Sequence, residues 1–137
     1  MPVTRAVPFV TLEGARRLAA AADAESLRRG WTVAVAIVDP TGGLVLFQVQ
    51  DGTQPGSADV AIRKARTAAR FKRPTRVMED AVGGGRTALL SIHPDAALVE
   101  GGVPILQDGA IVGAIGISGM TSAQDGEIAA AALAALG

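Results

Sequence analysis

Lys64, Asp125, His93 and several paired glycines are the residues whose types could do chemistry in this 137-residue chain. Lys64 falls at the edge of an apolar helical stripe. A lysine there is either a snorkelling surface side chain or a buried cation aimed at a carboxylate-bearing ligand. Asp125 follows Ser122 by three residues, so it reads either as the N3 acid of a helix cap or as an acid or base of a site. His93, the single histidine, precedes Pro94-Asp95 in a loop-like stretch, as a surface side chain, an iron ligand or a proton carrier. Glu100-Gly101-Gly102-Val103-Pro104 places two glycines ahead of a strand, and Pro104 cannot donate to a ladder. That segment is either a β-bulge or a backbone wall for a small or flat ligand. Gly113, Gly116 and Gly119 are spaced G-x-x-G-x-x-G, which is not the dinucleotide fingerprint, and no glycine-rich loop carries Lys followed by Ser or Thr. Nucleotide binding by those routes is excluded. Gly119 leads into a helix N-terminus that favours an anion, although Asp125 already brings a carboxylate to its first turn.

Composition narrows the chemistry further. There is no cysteine, hence no disulfide, no thiolate nucleophile and no sulfur-based metal site. With one histidine, an intramolecular His-pair metal site is impossible. The charges balance at 13 basic and 13 acidic, but unevenly: Arg63 to Arg76 holds seven basic groups and no acid, while Val77 to the end holds one against seven acids. Such a band either contacts an anion or pairs with the acidic half, in the same or a neighbouring subunit. Phe71 is its only stacking residue, which argues against nucleic acid. The longest apolar run, Ile128 to Leu136, is too short to span a membrane. The N-terminus lacks a secretory h-region, so a cytoplasmic protein is expected.

The elements that must position these residues follow from periodicity and turn chemistry. Thr11 caps a helix to about Arg29, stopped by Gly30. Trp31–Val38 reads as a buried strand, with Leu44–Gln50 as its hairpin return. Ser57 caps a second helix that ends at Pro74, with Ala61, Ala65, Ala68 and Ala69 on one stripe and Arg63, Arg66 and Arg70 opposite. Thr75 caps a short turn to Ala81, Gly83–Gly85 is a flexible break, and short segments follow at Leu89–Ile92 and Ala97–Val99. Val103–Gln107 and Ala110–Ser118 form a hairpin through Asp108-Gly109. In its second strand Ile111, Ile115 and Ile117 should face one way, and Val112, Ala114 and Gly116 the other. Ser122 caps the last helix, to about Leu136. Two antiparallel hairpins among helices predict an α+β fold in one domain over residues 1–137.

Four segments together, VAVAIVDPTGGLV (33–45), DGTQPGSADVAIRKARTAARFKRPT (51–75), EGGVPI (100–105) and DGAIVGAIGISG…QDGEIAAAAL (108–133), resemble the GlcG/HbpS family. This family is also known as DUF336 or the haem-degrading domain, and includes the C-terminal domain of PduO-type proteins. The resemblance implies a profilin-like α/β/α sandwich, a central antiparallel sheet between helices, assembling as a homo-oligomer. It also implies haem or a related tetrapyrrole as a candidate cofactor, with Lys64, Gly101, Gly102, Pro104, Ser118, Gly119 and Asp125 among the residues that match the family pattern. By residue type only His93 and Met120 could ligate haem iron.

Three functional readings follow, one of them a purely structural or accessory partner of a catabolic complex and the other two chemical. In the first of these two, a small cytoplasmic oligomer serves a catabolic pathway as an accessory protein that binds an anionic small molecule, with a haem-type tetrapyrrole the named candidate. Lys64, Arg66 and Arg70 would then pair with propionates, and Gly101–Pro104, Ser118 and Gly119 would line the pocket. In the second, a cofactor-independent lyase, isomerase or hydrolase acts on a small carboxylate. Lys64 would fix the substrate, Asp125 or Glu100 would act as base, and backbone near Gly102 or Gly119 would stabilise an oxyanion.

Overall fold

A computed structural model describes residues 1–137. Its elements are α1 (Leu12–Arg29), β1 (Ala34–Val38), β2 (Leu44–Val49), α2 (Gly56–Phe71), α3 (Thr75–Gly83), a 3₁₀ turn (Thr87–Ser91), β3 (Gly102–Gln107), β4 (Ala110–Ser118) and α4 (Ser122–Ala134). The strands form one antiparallel sheet in the order β2-β1-β4-β3. The architecture is α+β, with helices on both faces of the sheet, as the element order predicts.

The hairpins owe their geometry to their turn residues. Asp108 (φ 51°) and Gly109 (φ 78°) are both left-handed, as a two-residue turn matched to the strand twist requires. At the other hairpin Asp39 Oδ1 accepts from Thr41 N–H and Gly43 N–H. These bonds, with that from the Thr41 hydroxyl, hold the Asp39 carboxyl below the usual carboxylate range, although its partial burial opposes them.

Each face of the sheet has its own core. Leu18, Ala22, Val35, Ile37, Ile115, Ile117 and Ile128 pack between the sheet and α1 with α4. Ala34, Ala36, Ala114, Ala61, Ala65 and Ala68 pack between the sheet and α2. The alanine face lets α2 approach closely. A Cβ on Gly116 would lie 2.1 Å from the Ala61 carbonyl oxygen, and one on Gly102 2.3 Å from that of Lys64.

Several expectations need correction. The β3–β4 register shifts so that Ile105 pairs with Gly113 and Leu106 with Ile111, which leaves Val112 as a bulged residue. Val112 therefore joins Ile115 and Ile117 in the α1/α4 core, while Ile111 lines a pocket beside Ala69 of α2. A strict two-residue alternation misses this, because a bulge inserts one residue without a composition signal. The caps also differ. Thr121, not Ser122, caps α4, and its capping-box partner at N3 is Gln124, so Asp125 stands one residue further in. Pro55 and Pro74 precede α2 and α3 without side-chain caps, so Ser57 and Thr75 lie inside their helices. Gly83 continues α3 where a flexible break was expected. No helix is long and apolar enough to cross a membrane.

Candidate functional site

Freed from capping, the Asp125 side chain turns inward. Its Oδ2 accepts from Lys64 Nζ at 2.9 Å, and its Oδ1 accepts from Met120 N–H at 2.9 Å. Lys64 Nζ also donates to the Ile117 carbonyl at 3.0 Å. Both side chains are 2% exposed, so this is a buried ion pair whose hydrogen-bonding groups are largely satisfied. It ties three elements together: α2 through Lys64, the end of β4 through Ile117, and the first turn of α4 through Asp125. Burial pushes the Asp125 carboxyl above its ordinary range, against the downward pull of the Lys64 ammonium and the N–H groups of Met120 and Gly119.

The glycines explain how a lysine can be buried here. A Cβ on Gly101 (φ 137°) would lie 2.5 Å from the Ile117 carbonyl oxygen and 2.8 Å from Lys64 Nζ. Gly101 and Gly102 are therefore clearance for Lys64 and its backbone, and together with Pro104 they are absent from the lining of the cleft beside the pair. Pro104 sits half-buried on the edge strand β3, opposite Ala114. Thr75 Oγ1 accepts from Gly102 N–H at 3.0 Å, clamping α3 to β3. That bond commits the Gly102 N–H, and Gly119 N–H is drawn to the Asp125 carboxylate. The backbone donors expected for an oxyanion thus serve the fold.

An open cleft of about 390 Å³ borders the ion pair. Lys64, Asp125, Ser118 and Met120 line it, together with Ser57 and Val60 of α2. Its size lies in the range of small-molecule sites. Sequence reasoning brought Lys64, Asp125, Ser118 and Met120 forward but treated Ser57 as a cap. The structure buries Ser57, with Oγ accepting from Gln54 Nε2 at 3.0 Å.

The other candidates lie elsewhere. Arg66 Nε donates to the Gly42 carbonyl and Arg70 Nε to that of Thr41, so both brace the β1–β2 turn. Arg63 donates to the Asp95 and Ala96 carbonyls. Glu100 lays its carboxylate against Gly126 of α4, outside the cleft lining. His93 Nδ1 accepts from Asp95 N–H at 3.1 Å in its own loop, outside the lining of the cleft that holds Met120. No three His, Cys, Asp or Glu side chains cluster as a metal centre would require.

The family model for haem-degrading HbpS-like proteins matches residues 10–134. The chain belongs to the HbpS-like family. Its relatives include protein GlcG of Escherichia coli K12, 41% identical over 104 residues that make up 76% of this chain and 77% of GlcG. Among solved structures, a double mutant of Streptomyces reticuli HbpS is 32% identical at a TM-score of 0.89, covering 100% of this chain and 97% of that one. A PduOC:heme complex is 29% identical at a TM-score of 0.83, covering 93% and 94%. The sheet order and flanking helices of this HbpS-like chain are therefore the architecture of its relatives.

Proposed function

We propose that this HbpS-like protein binds a haem-type tetrapyrrole in the cleft beside Lys64. One observation carries the reading: an open cleft lined by half-buried Met120 with apolar Val60 and Val99 lies beside the Lys64–Asp125 pair. Met120 suits the iron of haem and the two valines its apolar ring. Lys64, 2% exposed and bonded to Asp125, stands behind the cleft and is not a partner for a carboxylate side chain. The donor set fits a haem held at one edge on an open surface. The cleft offers no imidazole, and Lys64 already serves Asp125. Bound haem would supply redox-active iron. The chain's own part is to hold the Met120 backbone through Asp125, to present one face of the cleft from α2, and to leave the other side open. The relative solved with heme supports the same ligand class.

The reading extends to a cytoplasmic homo-oligomer, one domain per chain, serving a catabolic pathway as an accessory protein. Exposed Leu44 and Val49 on the edge strand β2 and Leu106 on the edge strand β3 support assembly, since uncovered apolar edges invite pairing.

Titration with haemin tests the core of the proposal. The expected result is a Soret shift at micromolar haemin that Met120→Ala abolishes and His93→Ala leaves intact. No shift, or one unchanged in Met120→Ala, overturns this site. Native mass spectrometry of the same sample counts subunits and haem together.

A further inference from the structure

We infer that the protein has a second ligand site, for an amphiphilic carboxylate, at the C-terminal end of α2. A pocket of about 670 Å³ opens there between four segments: the N-terminal stretch, the β1–β2 turn, the end of α2 and the tip of the β3–β4 hairpin. It shares no lining residue with the Lys64 cleft. Val7, Phe9, Ala69 and Ile111 are among its apolar lining residues, Val7 and Phe9 partly exposed, and Arg5 and Lys72 line it as well. No acidic residue lines it. Neither Arg5 nor Lys72 takes part in an ion pair. Asp39, the acid of the adjoining turn, spends Oδ1 on Thr41 and Gly43. The pocket therefore offers an apolar body two free cations with no internal counter-ion.

Two further features fit a ligand of this kind. Lys72 holds φ at 55°, a left-handed conformation that favours glycine or asparagine, where a lysine is accommodated at a cost. Residues 1–9 make no hydrogen bond, and the first anchor is Val10 N–H to the Val112 carbonyl at 2.8 Å. The wall that carries Arg5, Val7 and Phe9 can thus move aside and return without breaking backbone bonds. An exposed cation adds little affinity alone, so the apolar body supplies most of the binding and the cations select an anionic head. That division points to a medium-chain carboxylate, an apolar chain ending in one negative charge.

Decanoate, 1-decanol and acetate, each kept below any micellar concentration, separate these contributions. Binding is read from backbone amide shifts of the full chain. Decanoate should shift the amides of Ala69, Lys72, Gly109, Ala110 and Ile111 and leave those of Ser118 and Met120 in place. Acetate should shift none, and 1-decanol should bind at least tenfold more weakly than decanoate. Arg5→Gln with Lys72→Asn should weaken decanoate at least tenfold and leave 1-decanol unchanged. Asparagine accepts the left-handed backbone, so this variant keeps its fold, and an unshifted melting temperature checks that. Ala110→Phe, which fills the pocket without touching charge, should weaken both long-chain ligands. Decanoate shifts at the Lys64 cleft alone, or equal decanoate affinity in the doubly neutralised variant, overturn the site. Haemin results at Met120 do not bear on either outcome.

Discussion

Against α1 and α4 the sheet presents Val35, Ile37, Ile115 and Ile117, while against α2 it presents Ala34, Ala36, Ala114 and Gly116. The first layer is filled by branched side chains and closed by helices with capped ends, Thr11 on α1 and Thr121 on α4. The second has small residues, helices without side-chain caps, and one buried ion pair reaching across from Lys64. Close approach of α2 over Ala34, Ala36, Ala114 and Gly116 leaves room for larger side chains only at Val38 and at the margin, where Phe47 and Ile62 pack. Position there is set by clearance and by a polar tie. The lesson is that the layer with less apolar volume is the one that builds the cleft. Its surface comes from Ser57, Val60 and Lys64 of α2 meeting Met120 and Asp125 of the β4–α4 junction.

The sharpest way to break this contrast is to remove the tie. Asp125→Ala leaves the Lys64 ammonium buried without its acid and should cost about 3–5 kcal/mol in urea unfolding. The double change Lys64→Met with Asp125→Leu should recover most of that loss, because both charges leave together. Acidity gives the same contrast a sign. The Asp125 carboxyl, raised above its ordinary 3.8, keeps its proton in the folded state over a range where the unfolded chain has lost it. Its contribution is thus fully present below 3.8 and lost as pH rises through the higher folded value. Glu25 on α1, lowered from 4.5 to about 2 by hydrogen bonds from Arg28 and Arg29, behaves oppositely, contributing above 4.5 and losing it as pH falls toward 2. Denaturation of Asp125→Asn and Glu25→Gln between pH 2 and 6 should show differences from the parent that slope in opposite directions.

Overpacking tests the clearance itself. Gly116→Ala puts a methyl 2.1 Å from the Ala61 carbonyl oxygen, which only a shift of α2 can relieve. A loss of about 1–3 kcal/mol is expected, with chemical-shift changes running along α2. On the other face, Ile128→Val removes one methylene from a conventional core and should cost about 0.5–1.5 kcal/mol, with changes confined to its neighbours. Equal costs with equally local changes would mean that the two layers are packed alike.

The same contrast explains what could be read in advance. Element order, both hairpins and the alanine stripe of α2 were legible, because periodicity and turn residues are local. Lys64 and Asp125 were each recognisable as having a structural and a functional alternative. Their pairing was not, because they are 61 positions apart and join only when α2 crosses β4. Arg66 and Arg70 share a helical face with Arg63, but that face meets a loop and a turn, so their shared charge did not mark the cleft. The role of Gly101 was hidden for a related reason. A ligand wall and a clearance for a lysine have the same sequence, and only the 2.8 Å from its would-be Cβ to Lys64 Nζ separates them.

The smallest expected effect concerns the first turn of α4, where the cap is Thr121 and not Ser122. Thr121 Oγ1 accepts from Gln124 N–H at 3.2 Å, and Gln124 Oε1 accepts from Thr121 N–H at 3.2 Å. Thr121→Ala should therefore cost about 1 kcal/mol, the ordinary value of a lost N-cap. Ser122, one residue on, has only a long hydrogen bond to Glu79 Oε1, and Ser122→Ala should stay within about 0.5 kcal/mol of the parent. Thermal unfolding of the two variants decides the assignment. If Ser122→Ala costs as much as Thr121→Ala, the helix starts a residue later in solution. Asp125 would then return to the third helical position, where its carboxylate would serve the cap and Lys64 would lose its partner.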